Sequence, residues 1–236
     1  MPSFESVPVD TPLSKLPNFD PRGVPVIGID SHLGAAPAQS MTPEALRERF
    51  RSPPAWEPEV WAERPFAERQ SAKASVLVPI VMRERPTVLL TERTTHLSTH
   101  SGQVAFPGGK RDETDPDDVH TAVREAHEET GLEPSMIEVI GQMPTYTTGT
   151  RFIITPVVAL VQPGHRLTLN AFEVADAFEV PLDFLMNPAH HHRHALEWAG
   201  HRREWFSIPY MEGTTERFIW GATAAMLRNL YRFLIA

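Results

Sequence analysis

Cysteine is absent from the 236 residues. That excludes disulfides, thiolate zinc sites, iron–sulfur clusters and a cysteine nucleophile, and it accords with a reducing cytoplasm. No apolar run approaches the roughly 18 residues that a membrane span needs. The first ten residues, MPSFESVPVD, have neither a basic segment nor an apolar one, so no secretory leader is expected. An excess of positive charge is also missing: the formal net charge is -8. A nucleic-acid or membrane partner is therefore not expected, and a polyanionic substrate would need a metal ion or a local basic patch. The patterns GxxxxGK[ST] and GxSxG do not occur, which removes a Walker loop and the usual serine-hydrolase elbow. What is present is ordinary for a globule with a core. Hydrophobic residues make up 41% and charged residues 22%, and the length suits one large domain or one domain with an extension.

Prolines mark a boundary, because 12 of the 23 fall in residues 1–71. Residues 1–40 show no sustained period and read as an extended arm draped over the main domain. Met41–Phe50 reads as a short helix, with Thr42 as cap, Pro43 at the first helical position, and Leu46 and Phe50 on one face. Trp56 and Trp61 follow as apolar anchors for docking. From Ala72 onward the text is strand-rich. Ser75–Met82 and Thr87–Thr91, separated by RERP, predict a hairpin. Phe152–Val161 reads as a buried strand, Ile137–Gly141 as another, and Val174–Val180 and Arg203–Ile208 as weaker ones. Two helices are predicted, over Asp117–Thr130 and Arg217–Leu234, the second with a stripe of Phe218, Ala222, Ala225, Met226 and Leu230. The expected fold class is α/β (α+β), a mixed sheet sandwiched between helices, with an extension over 1–71 and the main domain over 72–236.

Chemistry concentrates in FPGGKRDETDPDDVHTAVREAHEETGL, residues 106–132. Glu125, Glu128 and Glu129 stand at i, i+3 and i+4 and share a helix face. Like charges at that spacing repel, and a hard divalent cation such as Mg2+ or Mn2+ reverses the sign. Arg124 precedes Glu128 by four and can pair with it. Asp115 or Asp117 can cap the helix, Gly131 suits its left-handed end, and Gly108 and Gly109 let backbone approach a ligand closely.

The string Arg124-Glu125-Ala126-His127-Glu128-Glu129-Thr130-Gly131-Leu132 resembles the Nudix box. Alanine fills its aliphatic position, and a longer spacer leaves Asp115 or Glu113 as the spacer acid. The stretch from Leu89-Leu90-Thr91-Glu92-Arg93-Thr94 to Gly102-Gln103-Val104-Ala105-Phe106-Pro107-Gly108-Gly109 is similar to that of the coenzyme A diphosphatases within this superfamily. Thr94 replaces a small residue and Ser98 an arginine. Glu173-Val174, Phe178–Leu182 and Ile219–Ala224 add to the likeness, which covers about residues 72–236.

The resemblance implies metal-dependent attack of water on the phosphoanhydride of coenzyme A, its acyl or oxidised forms, giving 3′,5′-ADP and 4′-phosphopantetheine. It implies Glu125 and Glu129 as metal ligands near the Gly108/Gly109 backbone, with Glu128 holding a second ion or positioning the water. The general base lies in the box or in a later loop, where Glu173 is the candidate. Arg93, His100, Gln103, Gly108, Gly109 and Lys110 are the expected substrate contacts. Rival readings are a pyrophosphatase of ADP-ribose or dinucleotides, and a non-catalytic nucleotide-binding module. Many members of the superfamily pair, so the partners are a small-molecule substrate and, at most, a second copy in a homodimer. His190, His191, His192 and His194 form a tract that reads as an exposed edge or loop, and Trp220 reads as a residue of the last helix.

Overall fold

A computed structural model describes residues 11, 16, 19–60, 62–63, 71–94, 102–198 and 201–236. His100, Ser98 and Trp61 lie outside them. The strands are β1 (Val26–Ile29), β2 (Ala72–Val81), β3 (Thr87–Arg93), β4 (Val104–Ala105), β5 (Gly108–Lys110), β6 (Ile137–Gln142), β7 (Tyr146–Thr147), β8 (Phe152–Val161), β9 (Val174–Pro181), β10 (His192–Trp198), β11 (His201–Glu212) and β12 (Thr215–Trp220). The helices are α1 (Pro43–Arg51), α2 (Asp118–Thr130), α3 (Leu182–Leu185) and α4 (Gly221–Ile235).

The first sheet is mixed and has eight strands among the described residues, along β4-β3-β2-β8-β6 with β5 on β2, β7 on β8 and β9 on β3. Its spine is the parallel pair β2–β8, in register from Ala72↔Phe152 to Val81↔Val161. Alternation along these strands feeds two cores. Leu77, Val81, Val157, Ala159 and Val161 face α2 through Ala122 and Ala126. Val78, Ile80, Val158 and Leu160 face the other way, onto α4 and the α1 segment through Leu46, Leu227 and Tyr231. The expected mixed sheet between helices is therefore what forms. The β2–β3 hairpin, β6, β8 and β9 lie where the residue patterns place them. Thr42 caps α1 by accepting from the Ala45 N–H at 3.2 Å, and Trp56 packs on Phe233 of α4 with ring centroids 5.2 Å apart.

A second, antiparallel sheet runs β1-β10-β11-β12, and it corrects three sequence readings. The last helix begins at Gly221, not Arg217, because Arg217–Trp220 belong to β12, where Ile219 pairs with Ile208 and Phe218 with Pro209. The Phe218–Ala222 spacing mimics a helical stripe across a strand–helix junction, and Gly221 at φ 61° makes the turn. Trp220 is thus the end of a strand and flanks the helix start. Third, the histidine tract is not an exposed edge. It enters β10, which lies between β1 and β11, and His191 and His194 are buried. A neutral imidazole offers one donor and one acceptor, and both nitrogens find partners. His194 meets Val24 O at 2.9 Å and Ser207 Oγ at 2.8 Å.

Candidate active site

The segment before α2 is bent back onto the sheet. Phe106 is buried, and Pro107 O accepts the Leu77 N–H at 2.9 Å. Gly108 and Gly109 then pair with Val76 and Ser75 of β2. Glycine is required by the backbone at Gly108, and at Gly109 by the present position of the Glu125 carboxylate. A Cβ on Gly108 would lie 2.6 Å from Val76 Cα, and one on Gly109 would lie 2.5 Å from the Glu125 carboxylate. The close approach of backbone to carboxylate is therefore built into the sequence. On the helix side, Gly108 N–H donates to Glu129 Oε2 at 3.0 Å.

The helix is held at both ends. Asp117 accepts from the His120 N–H at 2.7 Å, and Gly131, at φ 69°, donates its N–H to His127 O. Asp115 is buried beneath the first turns. It accepts Arg124 Nε at 3.0 Å and Nη2 at 2.8 Å, the Asp112 N–H at 3.0 Å and Thr121 Oγ1 at 2.9 Å. These bonds, the Arg124 fork foremost, hold its carboxyl well below the usual carboxylate range. Arg124, so anchored, pairs with Glu125 at 3.0 Å and donates to Glu128 at 3.0 Å. Asp115 fixes the arginine, and the arginine fixes two glutamates of the box.

Electrostatically the two inner carboxylates are out of balance. Burial pushes the Glu129 carboxyl up to about 7, against the Gly108 N–H and Arg93, which favour its charge, while Glu173 and Glu125 add repulsion. Burial likewise raises Glu125, with Arg124 opposing and Glu128 and Glu173 adding to the rise. Poorly solvated carboxylates crowded against one another suit a hard divalent cation, which would favour the charged form of both. Two buried polar atoms beside these carboxylates have no hydrogen-bond partner among the described residues, and an unpaired guanidinium N–H calls for an anionic acceptor rather than a cation. Arg93 Nε is one, on a side chain whose Nη1 lies 3.7 Å from Glu129 Oε1. Ser75 Oγ is the other, opposite Gly109 and on the β2 face that carries Leu77 against α2.

Glu173 enters from the loop before β9. That loop is strapped to the end of α2 by Thr168 N–H to Thr130 O at 2.8 Å and Asn170 N–H to Glu129 O at 2.9 Å. Asn170 Nδ2 donates to Glu173 Oε1 at 3.3 Å. The structure thus gathers Glu125, Glu129, Gly108, Gly109, Arg93 and Glu173 in one place. Glu128 stands apart, its side chain 55% exposed and turned to Arg124. Among the described residues no three acidic or imidazole groups enclose an ion as they stand. Lys110 is exposed at the end of β5, and the Gln103 carbonyl accepts the Arg93 N–H at 3.0 Å. Asp115 as the arginine's anchor and Ser75 were not singled out by sequence. The place of Asp115 as the spacer acid was the signal available for the first, and nothing marked the second. A cavity of about 500 Å³ lined by Leu33, Pro37, Arg49 and Tyr231 lies away from these residues.

Comparison with known proteins bears on the same segments. The NUDIX domain family model matches residues 72–199, more than half of the chain. An Enterobacter sp. (strain 638) protein described as "Uncharacterized Nudix hydrolase NudL" is 40% identical over 159 residues, covering 67% of this chain and 80% of its own length. The Escherichia coli (strain K12) protein of the same description is 39% identical over 171 residues, covering 71% of this chain and 86% of its own. Among solved structures, a C. elegans Ap4A hydrolase binary complex aligns with a TM-score of 0.41 at 18% identity, over 50% of this chain and 85% of that one.

Proposed function

The chain belongs to the Nudix family of hydrolases, which act on phosphorus-containing anhydrides, and from that premise we propose that it is a coenzyme A diphosphatase. It cleaves coenzyme A, or an acyl or oxidised form, to 3′,5′-ADP and 4′-phosphopantetheine, using Mg2+ or Mn2+. One observation carries this reading. Arg93, from the stretch that resembles the coenzyme A diphosphatases, reaches to 3.7 Å from Glu129 of the acidic helix. Two stretches separated along the sequence meet there, which supports reading them as one site.

In this reading Glu125 and Glu129 hold the cation, beside the Gly108–Gly109 backbone. When bound, it would neutralise charge on the pyrophosphate and act as a Lewis acid. The chain's own groups do the rest. Arg93 directs its free Nε at a phosphate oxygen, where a guanidinium forms strong charge-assisted bonds. Glu173, oriented by Asn170, takes the proton of the attacking water as the new P–O bond forms in line with the P–O bond that breaks. The leaving phosphate departs as an anion. Glu128, at the rim and held by Arg124, is placed for a second ion or for the water. His100, Gln103 and Lys110 meet the remainder of the substrate. The catalytic unit is residues 72–236, with α1 and Trp56 of the preceding extension packed on it, acting in the cytoplasm as a monomer or a homodimer.

The test is product analysis after incubation of coenzyme A with the protein and magnesium in oxygen-18 water. The expected result is 3′,5′-ADP and 4′-phosphopantetheine, with label in one of them. Faster hydrolysis of ADP-ribose or a dinucleotide than of coenzyme A would move the assignment to that substrate class. Ligand binding without hydrolysis under any divalent ion would refute the catalytic reading.

A further inference from the structure

Phe172 is the most exposed large hydrophobic residue among those described, at 79%. It directly precedes Glu173, and its backbone is tied on both sides. Its N–H donates to Asn170 Oδ1 at 3.2 Å, and its carbonyl accepts Thr94 Oγ1 at 3.0 Å. Thr94 also donates its N–H to Glu173 O at 3.0 Å. Asn170 is anchored to Glu129 O, and its own carbonyl accepts the N–H groups of Glu173 and Val174, each at 2.9 Å. The ring is therefore mounted on a fixed loop, one residue from the candidate base. Its anchor, Thr94, directly follows the arginine that reaches Glu129.

An apolar ring left in water on a braced backbone contributes nothing to this fold's core. Its neighbours divide the chemistry of a ligand. Arg93, and the cation that the carboxylate pair would hold, suit the charged phosphates, whereas Phe172 offers a flat, uncharged π-face. A nucleoside diphosphate has one group that matches such a face, its base. We propose that Phe172 is the stacking platform for the nucleobase of the substrate, an inference that rests on the anhydride-hydrolase reading above and adds to it. Stacking uses the face that every base has, so recognition there tolerates exchange of one base for another and does not tolerate its removal.

The experiment compares wild type, Phe172→Leu and Phe172→Trp in the full chain. Phe172→Leu should raise the KM for coenzyme A and the Ki of ADP about tenfold, toward the low end of what base–aromatic stacking supplies. Its kcat should stay within about twofold, and inhibition by inorganic pyrophosphate should not change, because that ligand has no base. Phe172→Trp should restore ADP inhibition, and its added indole emission should be quenched by ADP and not by pyrophosphate. Equal weakening toward ADP and pyrophosphate would overturn the proposal and make Phe172 a structural residue of the loop. Unchanged ADP inhibition would also overturn it. So would a wild-type dimer that Phe172→Leu converts to monomer, since the ring would then be a subunit contact. If wild type hydrolyses nothing while ADP still quenches Phe172→Trp, the platform stands and the hydrolase reading falls.

Discussion

His191 should give the protein a stability loss between pH 7.5 and 5 that a single substitution removes. The residue is fully buried where the start of β10 meets α4. Its Nε2 donates to Leu185 O at 2.7 Å, and its Nδ1 accepts from Arg228 Nη1, 3.3 Å away. Arg228 is itself buried, bonded to Glu59 at 2.7 Å and Asp30 at 2.9 Å, and Arg193 holds the same two acids. A second proton on His191 would face a guanidinium that already donates to it. Burial foremost, with Arg228 and His190 adding and the bond to Leu185 O and Asp30 opposing, lowers its pKa from 6.5 to about 4. The folded state thus refuses a proton that the unfolded chain takes up below about 6.5. Stability falls as pH drops through that window, and at pH 5 the loss is about 2 kcal/mol at 1.36 kcal/mol per unit. For a chain of this size that lowers Tm by roughly 4–8 °C. His191→Gln keeps a donor for Leu185 O and an acceptor for Arg228 but does not titrate. Thermal unfolding at pH 7.5, 6.5, 5.5 and 5 should show wild type losing those degrees relative to the variant. Parallel Tm curves across that range would refute the reasoning.

Three further substitutions probe the site's supports. Gly109→Ala sets a methyl where the Glu125 carboxylate lies, at 2.5 Å; hydrolysis should collapse with the unfolding midpoint little changed, because the end of a glutamate can swing aside. Asp115→Ala removes the anchor of Arg124 and should cost about 2 kcal/mol, since hydrogen bonds to charged groups carry that much and nearby solvent trims the rest; calorimetry reads the stability and kcat the mispositioned glutamates. Gly131→Ala forces a side chain into φ 69° and against Thr168 N at 2.9 Å; urea unfolding should show a loss of about 1–2 kcal/mol.

The acidic helix could be read from sequence because cap, stripe and stop agree: Asp117, the Ala122/Ala126 face and Gly131 each mark it independently. Strand β8 was legible as a near-continuous apolar run rich in β-branched residues because it is central and its inner residues are buried on both faces. Of the second sheet only Arg203–Ile208, which lies within β11, was legible, and the reason is chemical. Its buried positions include His194, Arg203, Ser207 and Arg217, polar groups whose burial depends on partners from distant segments. Arg217 is satisfied by Glu92, Asp176 and Glu212, which no local period announces. Trp220 and Gly221 show the same limit at a boundary, where apolar residues at i and i+4 span a strand end and a helix start. Within the site, the i, i+4 spacing announced the Arg124–Glu128 pair, which forms at 3.0 Å, but not that Glu128 stands at the exposed rim. That follows from where Asp115 anchors the arginine, a contact across nine residues of spacer and helix.

The central claim is that a buried and a half-buried carboxylate, set against a glycine pair, make an anhydride-cleaving centre. Glu129→Gln tests it most directly, because the amide oxygen can still accept the Gly108 N–H while the charge is gone. Coenzyme A hydrolysis in saturating magnesium should fall by more than about a hundredfold, beyond the effect typical of merely supporting residues around a metal, with Tm preserved. A variant that folds and turns over at the wild-type rate would contradict the account.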